Sequence, residues 1–250
     1  MENTSCTQQR GKLAELLTVV IPCKNEQCYI FHALYSLALQ REVNGMRVIV
    51  ADAGSTDHTL KRVGLAKELY EGRINIEVVE GGYPAFGRNA GAKLATTPYV
   101  LFMDADVRLF SGDNLMDNVE KMQRRDLDLL SCCVDSYANS FRSKVAFVAF
   151  NLFNRAFSLF EPFCVGGYFM TKLSKFRELG GFDERIKVCE DYMLSKRYDR
   201  CKFAFSYHKY GQDDRRFRKY GYTSMVKLMV LTFLNRNNPK YFESDMGYWK

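Results

Sequence analysis

The 250-residue chain has no Cys-x-x-Cys pair, no apolar run of membrane-spanning length, no Pro/Gly/Ser-rich linker and no internal repeat. Each absence removes a class of protein. The eight cysteines lie scattered at 6, 23, 28, 132, 133, 164, 189 and 201, which argues against a zinc site or a disulfide framework. Reduced, mostly buried thiols and a cytosolic compartment are expected instead. The longest apolar stretches, residues 16–23 and 225–234, fall well short of the roughly 20 residues a bilayer-crossing helix needs. The polar opening, residues 1–9, does not read as a secretory signal. Without a linker, one domain over 1–250 is expected. No Gly-x-Gly-x-x-Gly follows the first apolar run, so a dinucleotide-dependent oxidoreductase is excluded. A nucleotidyltransferase would place a Gly-rich loop with a basic residue there, and residues 22–26 do not supply it.

What the chain does have is a large apolar content: 47% hydrophobic and 14% aromatic residues, enough for one large core. The net charge of +7 is concentrated. Residues 201–250 hold ten Lys/Arg against four Asp/Glu, an excess of six. That distribution suits a phosphate-bearing ligand or an anionic membrane surface better than a nucleic-acid coat.

The first half alternates Val- and Ile-rich runs with helical spacing. Strands are expected at 17–22, 46–51, 74–80 and 99–103, and helices at 26–40, 56–69 and 86–95, with Asp57 or Ser55 capping the second helix. Such alternation predicts an α/β fold with a mostly parallel central sheet and helices on both faces. The second half reads as an exposed helix at 114–125, strands at 127–135, 164–171 and 202–208, and helices at 143–160, 174–179 and 191–199. A basic amphipathic helix is expected over 215–234.

Ligands in such sheets bind beyond the carboxyl ends of the strands. Asp52 closes one expected strand, and Asp104-Ala105-Asp106 closes another. On an extended strand the carboxylates of Asp104 and Asp106 can point the same way, and a hard divalent cation would relieve their repulsion. Four further clusters lie in order around them: Val20-Ile21-Pro22-Cys23-Lys24-Asn25-Glu26, Asp52-Ala53-Gly54-Ser55-Thr56-Asp57, Gly87-Arg88-Asn89-Ala90-Gly91, and Gly180-Gly181-Phe182-Asp183-Glu184 with Glu190-Asp191 downstream.

In the order and spacing of these clusters the chain resembles the family 2 glycosyltransferases of GT-A fold, from about residue 17 to 220. The resemblance implies a single GT-A domain, Rossmann-like in its nucleotide-binding half, that is metal-dependent and inverting. Its partners would be a UDP- or GDP-linked sugar donor and a saccharide or lipid-linked acceptor. Cell-surface polysaccharide, glycolipid or lipid-linked oligosaccharide synthesis would be its setting. It implies that Pro22, Asn25, Glu26, Asp52 and Ser55 hold the nucleotide, with Asp52 accepting a hydrogen bond from the base. Arg88 and Asn89 would approach the diphosphate and donor sugar, although Arg88 suits a salt bridge to a nearby aspartate equally well.

Asp106 would be the direct ligand of Mg²⁺ or Mn²⁺, and Asp104 would contact the ribose or a metal-bound water. His208 is a candidate extra ligand. Polyprenyl-phosphate mannose synthases add a Gln ligand two residues beyond the motif; here Arg108 stands there and cannot coordinate a cation. Of the acidic pair, Asp191 aligns best with the general base, with Glu190 as the fallback. Gln212-Asp213-Asp214-Arg215-Arg216-Phe217 loosely matches the Gln-x-x-Arg-Trp motif of processive members without its Trp. Arg215 or Arg216 would then cap the diphosphate. Phe147, Phe150, Phe153, Phe157 and Phe160 form a stripe that reads either as core or as an interfacial face for a lipid-linked acceptor. A membrane-docked scaffold on an inactive transferase fold is the non-enzymatic alternative, against which the intact acidic clusters argue.

Overall fold

The computed structural model describes residues 10–137 and 140–244, apart from the side chains of residues 216, 222, 225, 226, 228, 229 and 239. The chain runs α1 (Leu13–Leu16), β1 (Leu17–Cys23), α2 (Ile30–Ala38), β2 (Met46–Asp52), α3 (Thr59–Leu69), β3 (Ile74–Glu80), α4 (Pro84–Leu94), β4 (Tyr99–Phe102), β5 (Val107–Leu109) and α5 (Asn114–Arg124). It continues with β6 (Leu129–Ser136), α6 (Phe141–Phe157), β7 (Phe169–Lys172), α7 (Leu173–Glu178), α8 (Glu190–Ser195), β8 (Phe203–Gln212), α9 (Arg215–Tyr220), α10 (Tyr222–Leu234) and α11 (Pro239–Glu243).

The strands form one eight-stranded sheet in the order β3-β2-β1-β4-β7-β6-β8-β5. The first four are parallel. β7 runs antiparallel to both β4 and β6, β8 is parallel to β6, and β5 closes the edge antiparallel to β8. β1 is buried along nearly its whole length, as a strand covered on both faces must be. Val19 and Ile21 face a core built with α1, α2, α3 and α5, while Val20 faces a second core with α4, α7 and α8. The period-2 alternation therefore divides one apolar run between two layers.

Glycine sets how closely α4 approaches the sheet. A Cβ on Gly91 would collide with the Val20 side chain, so only glycine lets the helix lie this close. The same close packing delivers Arg88 to the sheet's carboxyl edge.

Two expected elements differ. The segment at 114–125 is not an exposed helix: α5 buries Leu115, Met116, Val119 and Met122 against the sheet. The single basic helix over 215–234 is two helices, broken at Gly221 with φ +81°, a conformation that ends a helix and that L side chains rarely adopt. The cations gather in α9, whereas α10 is mostly apolar. Asp57 does hold the entry to α3, accepting the Thr59 N–H at 2.9 Å, while Ser55 serves the loop beside it. Among the described residues, no helix is long and apolar enough to cross a membrane. Of the described cysteines, Cys23, Cys132, Cys133 and Cys164 are buried.

Candidate active site

The carboxyl ends of β1, β2 and β4 and the end of β8 meet at one crevice. Register brings them there: Cys23 pairs with Asp52, Asp52 with Glu80, and Gln212 of β8 lies opposite both Val107 and Ser136. Asp106 is buried at 3% exposure, and Gln212 Nε2 donates to its Oδ1 at 3.2 Å. The Arg215 guanidinium stands 3.2 Å from Asp106 Oδ2 and forms a two-pronged pair with Glu26, at 2.8 and 2.6 Å. The same guanidinium lies over the Tyr29 ring, 4.7 Å from its centroid. Burial raises the Glu26 carboxyl above its usual range against the pull of Arg215. A segment in the last fifth of the chain thus closes on the first loop and on the Asp-x-Asp motif.

Arg88 is 2% exposed and joins the two acidic clusters. Nη2 donates to Asp104 Oδ1 at 2.8 Å, and Nη1 donates to Glu190 Oε1. Burial works against its charge, but Glu190, Asp104 and Asp191 outweigh it and hold the guanidinium protonated. The backbone around it is shaped to fit: a Cβ on Gly166 would strike the Arg88 guanidinium, and one on Gly167 would sit 2.6 Å from the Tyr210 hydroxyl.

Asp191 follows Glu190 in the first turn of α8. Its Oδ2 accepts the Gly166 N–H at 2.5 Å and its Oδ1 accepts the N–H of Tyr192 at 2.7 Å. Burial first, and then the negative charge of Glu190, raise its carboxyl to about 7, with Arg88 and the two N–H donors pulling the other way. Asp191 borders a cavity of about 180 Å³ whose wall also includes Arg88, Asp104 and Glu190.

On the donor side, the loops after β1 and β2 are tied together. Asn25, at φ +55°, donates its N–H to Ser55 Oγ at 2.9 Å and accepts the Thr56 N–H at 2.9 Å. Asp52 accepts the N–H groups of Gly54 and Ser55 at 3.1 and 2.9 Å, and the Ser55 hydroxyl at 2.5 Å. The Asp52 carboxylate therefore shapes its own turn, beside an open cleft walled by Val78 to Gly81. Pro22, half-buried near the end of β1, lies alongside Gly87.

Two candidates have other partners. Asn89 spends its amide on the Gly-Gly-Phe-Asp-Glu loop, exchanging hydrogen bonds with the Phe182 backbone at 3.0 and 2.8 Å and donating to Glu184 at 2.9 Å. Its observed work is to clip that loop to α4. His208, within β8 and four residues before Gln212, has its Nε2 3.0 Å from Asp117 Oδ2, so its ring is paired with α5. The Arg216 side chain lies outside the described residues. Arg108 stacks on Tyr137 at 4.3 Å, and the Tyr137 hydroxyl donates to the Asp106 carbonyl at 2.9 Å. Tyr137, Gly166 and Gly167 went unrecognised in the sequence. The adjacent glycines before β7 are a signal that could have found two of them; a lone tyrosine offers none.

No cluster of three or more His, Cys, Asp or Glu side chains able to hold a metal occurs among the described residues. Two carboxylates nonetheless fit Mg²⁺ or Mn²⁺, which bind through one or two carboxylates and take further oxygens from substrate phosphates and water.

An α/β sheet with an acidic crevice at its carboxyl edge, an Asp-x-Asp motif and a separate acidic pair defines a protein of the GT-A glycosyltransferase fold. The family model described as Glycosyl transferase family 2 matches residues 18–180, and the chain belongs to that family. A validoxylamine A glucosyltransferase of Streptomyces hygroscopicus subsp. jinggangensis is 39% identical over 97 residues, covering 37% of this chain and 22% of that protein. The poly(ribitol-phosphate) β-N-acetylglucosaminyltransferase TarS of Staphylococcus aureus is 36% identical over 94 residues, 36% of this chain and 16% of that protein. The match thus spans about a fifth of those relatives' length. Among solved structures, TarS 1–349 with UDP-GlcNAc aligns with TM-score 0.60 at 20% identity, over 79% of this chain and 58% of that one. A Pyrobaculum calidifontis mannosyltransferase with GDP-Man and Mn²⁺ aligns with TM-score 0.61 at 22% identity, over 78% and 56%.

Proposed function

We propose that this chain transfers a sugar from a nucleoside-diphosphate donor to an acceptor hydroxyl, with inversion. The observation that carries the reading is Asp191, a carboxylate raised by burial, which lines the same cavity wall as Arg88 and Asp104. A general base works best when its pKa lies close to the operating pH. In the transfer, Asp191 takes the proton of the acceptor hydroxyl as its oxygen bonds to the anomeric carbon. The bond from that carbon to the diphosphate oxygen breaks, and the nucleoside diphosphate leaves. Asp104 and Asp106 would hold the divalent cation, which neutralises charge on the departing diphosphate. Arg88 keeps Glu190 and Asp104 in place, and Arg215 stands ready to meet the diphosphate beside Asp106.

UDP- and GDP-linked sugars are the donors to test, since the structural neighbours above hold UDP-GlcNAc and GDP-Man. The relatives' names point to wall-polymer and small-molecule glycosylation. A peripheral membrane contact is supported by the outer face of α6. Phe141, Val145, Val148 and Leu152 are exposed there at helical spacing, with exposed Arg142, Lys144 and Arg155 flanking them.

A thermal-shift screen of nucleotide-sugars with and without Mn²⁺ tests the donor. A ligand at 100 times its Kd, bound only by the folded chain, stabilises by about 2.7 kcal/mol. Asp191→Asn is expected to lower the transfer rate by about 10²–10⁴ while nucleotide binding persists, and Asp106→Ala to abolish transfer. Full transfer by the Asp191→Asn protein would overturn the base assignment.

A further inference from the structure

The cavity beside Asp191 is built for something other than a saccharide. Phe147, Phe150, Phe153, Phe157, Phe163 and Phe233 dominate its wall. They hold one another in place: Phe153 stacks on Phe157 with centroids 5.8 Å apart, and Phe163 and Phe233 meet Phe157 edge-on, each at 5.4 Å. Most of the polar side chains in the wall already have partners, and they gather at the Arg88–Asp191 end. Arg88 bonds Glu190 and Asp104, Gln212 bonds Asp106, Asp213 takes Arg218 and the Arg215 N–H, and the Thr232 hydroxyl faces Cys189 Sγ. A sugar ring or polyol phosphate buried among the phenylalanines would leave hydroxyls without partners, at about 2–7 kcal/mol each for full desolvation. The aromatic part of the cavity, away from Arg88, Asp104, Glu190 and Asp191, suits a ring or a short alkyl segment.

We infer that the acceptor is an alcohol whose hydroxyl is carried on an apolar chain or ring, and that this aromatic cavity holds that apolar part while Asp191 faces the hydroxyl. The inference rests on the transferase reading and names its acceptor class. The balanced step is apolar alcohol plus nucleoside-diphosphate sugar giving glycoside plus nucleoside diphosphate, with the alcohol's proton passing to Asp191. α6 contributes four of the seven phenylalanines. An alcohol of this kind can come from free solution or from a lipid in the bilayer, and the chemistry at the cavity is the same.

The test uses the whole chain and the linear 1-alkanols from butanol to decanol, with glycerol 1-phosphate and glucose as polar probes. Binding is read by calorimetry and by saturation-transfer NMR, with UDP- and GDP-sugar binding measured separately on the same protein. Affinity is expected to tighten about fourfold per added methylene until the cavity is full, following the transfer energy of a buried CH₂, with no binding of the polar probes. Phe153→Asp is expected to abolish alkanol binding and Phe153→Leu to retain it. Should the aspartate variant not fold, the chain-length series on the unmodified protein decides alone. Turnover of octan-1-ol in solution, or of a long prenol only when carried in phosphatidylglycerol vesicles, would identify the source, and either result supports the inference. Binding that ignores chain length, or tight binding of glycerol 1-phosphate, overturns it even when nucleotide-sugar binds normally. Alkanol binding without any nucleotide-sugar binding would instead sink the transferase reading and leave the cavity assignment standing.

Discussion

At the scale of single residues, the two acids of the Glu190-Asp191 pair have separate work. Glu190 is 5% exposed and tied to Arg88, so its carboxylate is committed. Asp191 is raised to about 7 by burial and by Glu190. Below that pH it is protonated and cannot take a proton, so the transfer rate should fall about tenfold per pH unit on the acid side and level off above 7. Glu190→Gln removes a negative neighbour and leaves Arg88 a stronger pull on Asp191, so the acid limb of the kcat–pH profile should move to lower pH. A limb that stays put would assign it to another group. The stability sign follows from the same shift. A carboxyl whose folded pKa exceeds its unfolded value favours the folded state fully below about 4, and that contribution is lost as pH rises through 7. Arg88 is the more fragile residue for folding. Arg88→Ala would strand a buried Glu190 charge, a change that typically costs about 3–5 kcal/mol, visible as a lower denaturation midpoint at unchanged m-value.

At the scale of elements, α4 shows why local pattern and long-range contact differ in legibility. Its helical spacing and its place after β3 were plain in the sequence, as were all four parallel strands, because strand and helix periods are local properties. Arg88's second partner is not, since Glu190 lies 102 residues away, whereas the bridge to Asp104 is to a nearby aspartate. β5 escaped notice because three residues carry no usable alternation. The 114–125 segment looked exposed because its charged residues mask the buried Leu115, Val119 and Met122 face. The break at Gly221 was readable in principle, yet apolar spacing continues across it and suggested one helix. The donor-side residues were located by family order, while their observed partners, Asp52 to Ser55 and Asn89 to Phe182, are turn-building contacts that only coordinates display. Close packing also makes α4 sensitive. Gly91→Ala drives a methyl into Val20, an overpacking expected to cost about 1–3 kcal/mol, and because α4 carries Arg88 the melting temperature and the transfer rate should fall together.

At the scale of the whole molecule, the chain closes on itself through Arg215, 189 residues from Glu26. This guanidinium stands 3.2 Å from Asp106 Oδ2, where a divalent cation would need that oxygen. On the proposed metal-site reading two cations would compete for one carboxylate, and metal entry would displace Arg215 from Asp106. Breaking a hydrogen bond to a charged group costs about 1.5–3 kcal/mol, and the one-third exposure of Arg215 holds the effect near the lower end. Arg215→Met should therefore bind Mn²⁺ about tenfold tighter than the unmodified chain when no nucleotide is present, measured by the loss of the free-ion EPR signal. In the presence of a nucleoside diphosphate the order should reverse in the nucleotide's own affinity, because the displaced guanidinium is then the cation that meets the diphosphate. An unchanged Mn²⁺ affinity would mean that Arg215 and the metal do not share Asp106. The combination of tighter metal and looser nucleotide separates a competing, ligand-seeking arginine from a merely structural one, since a structural loss would weaken both.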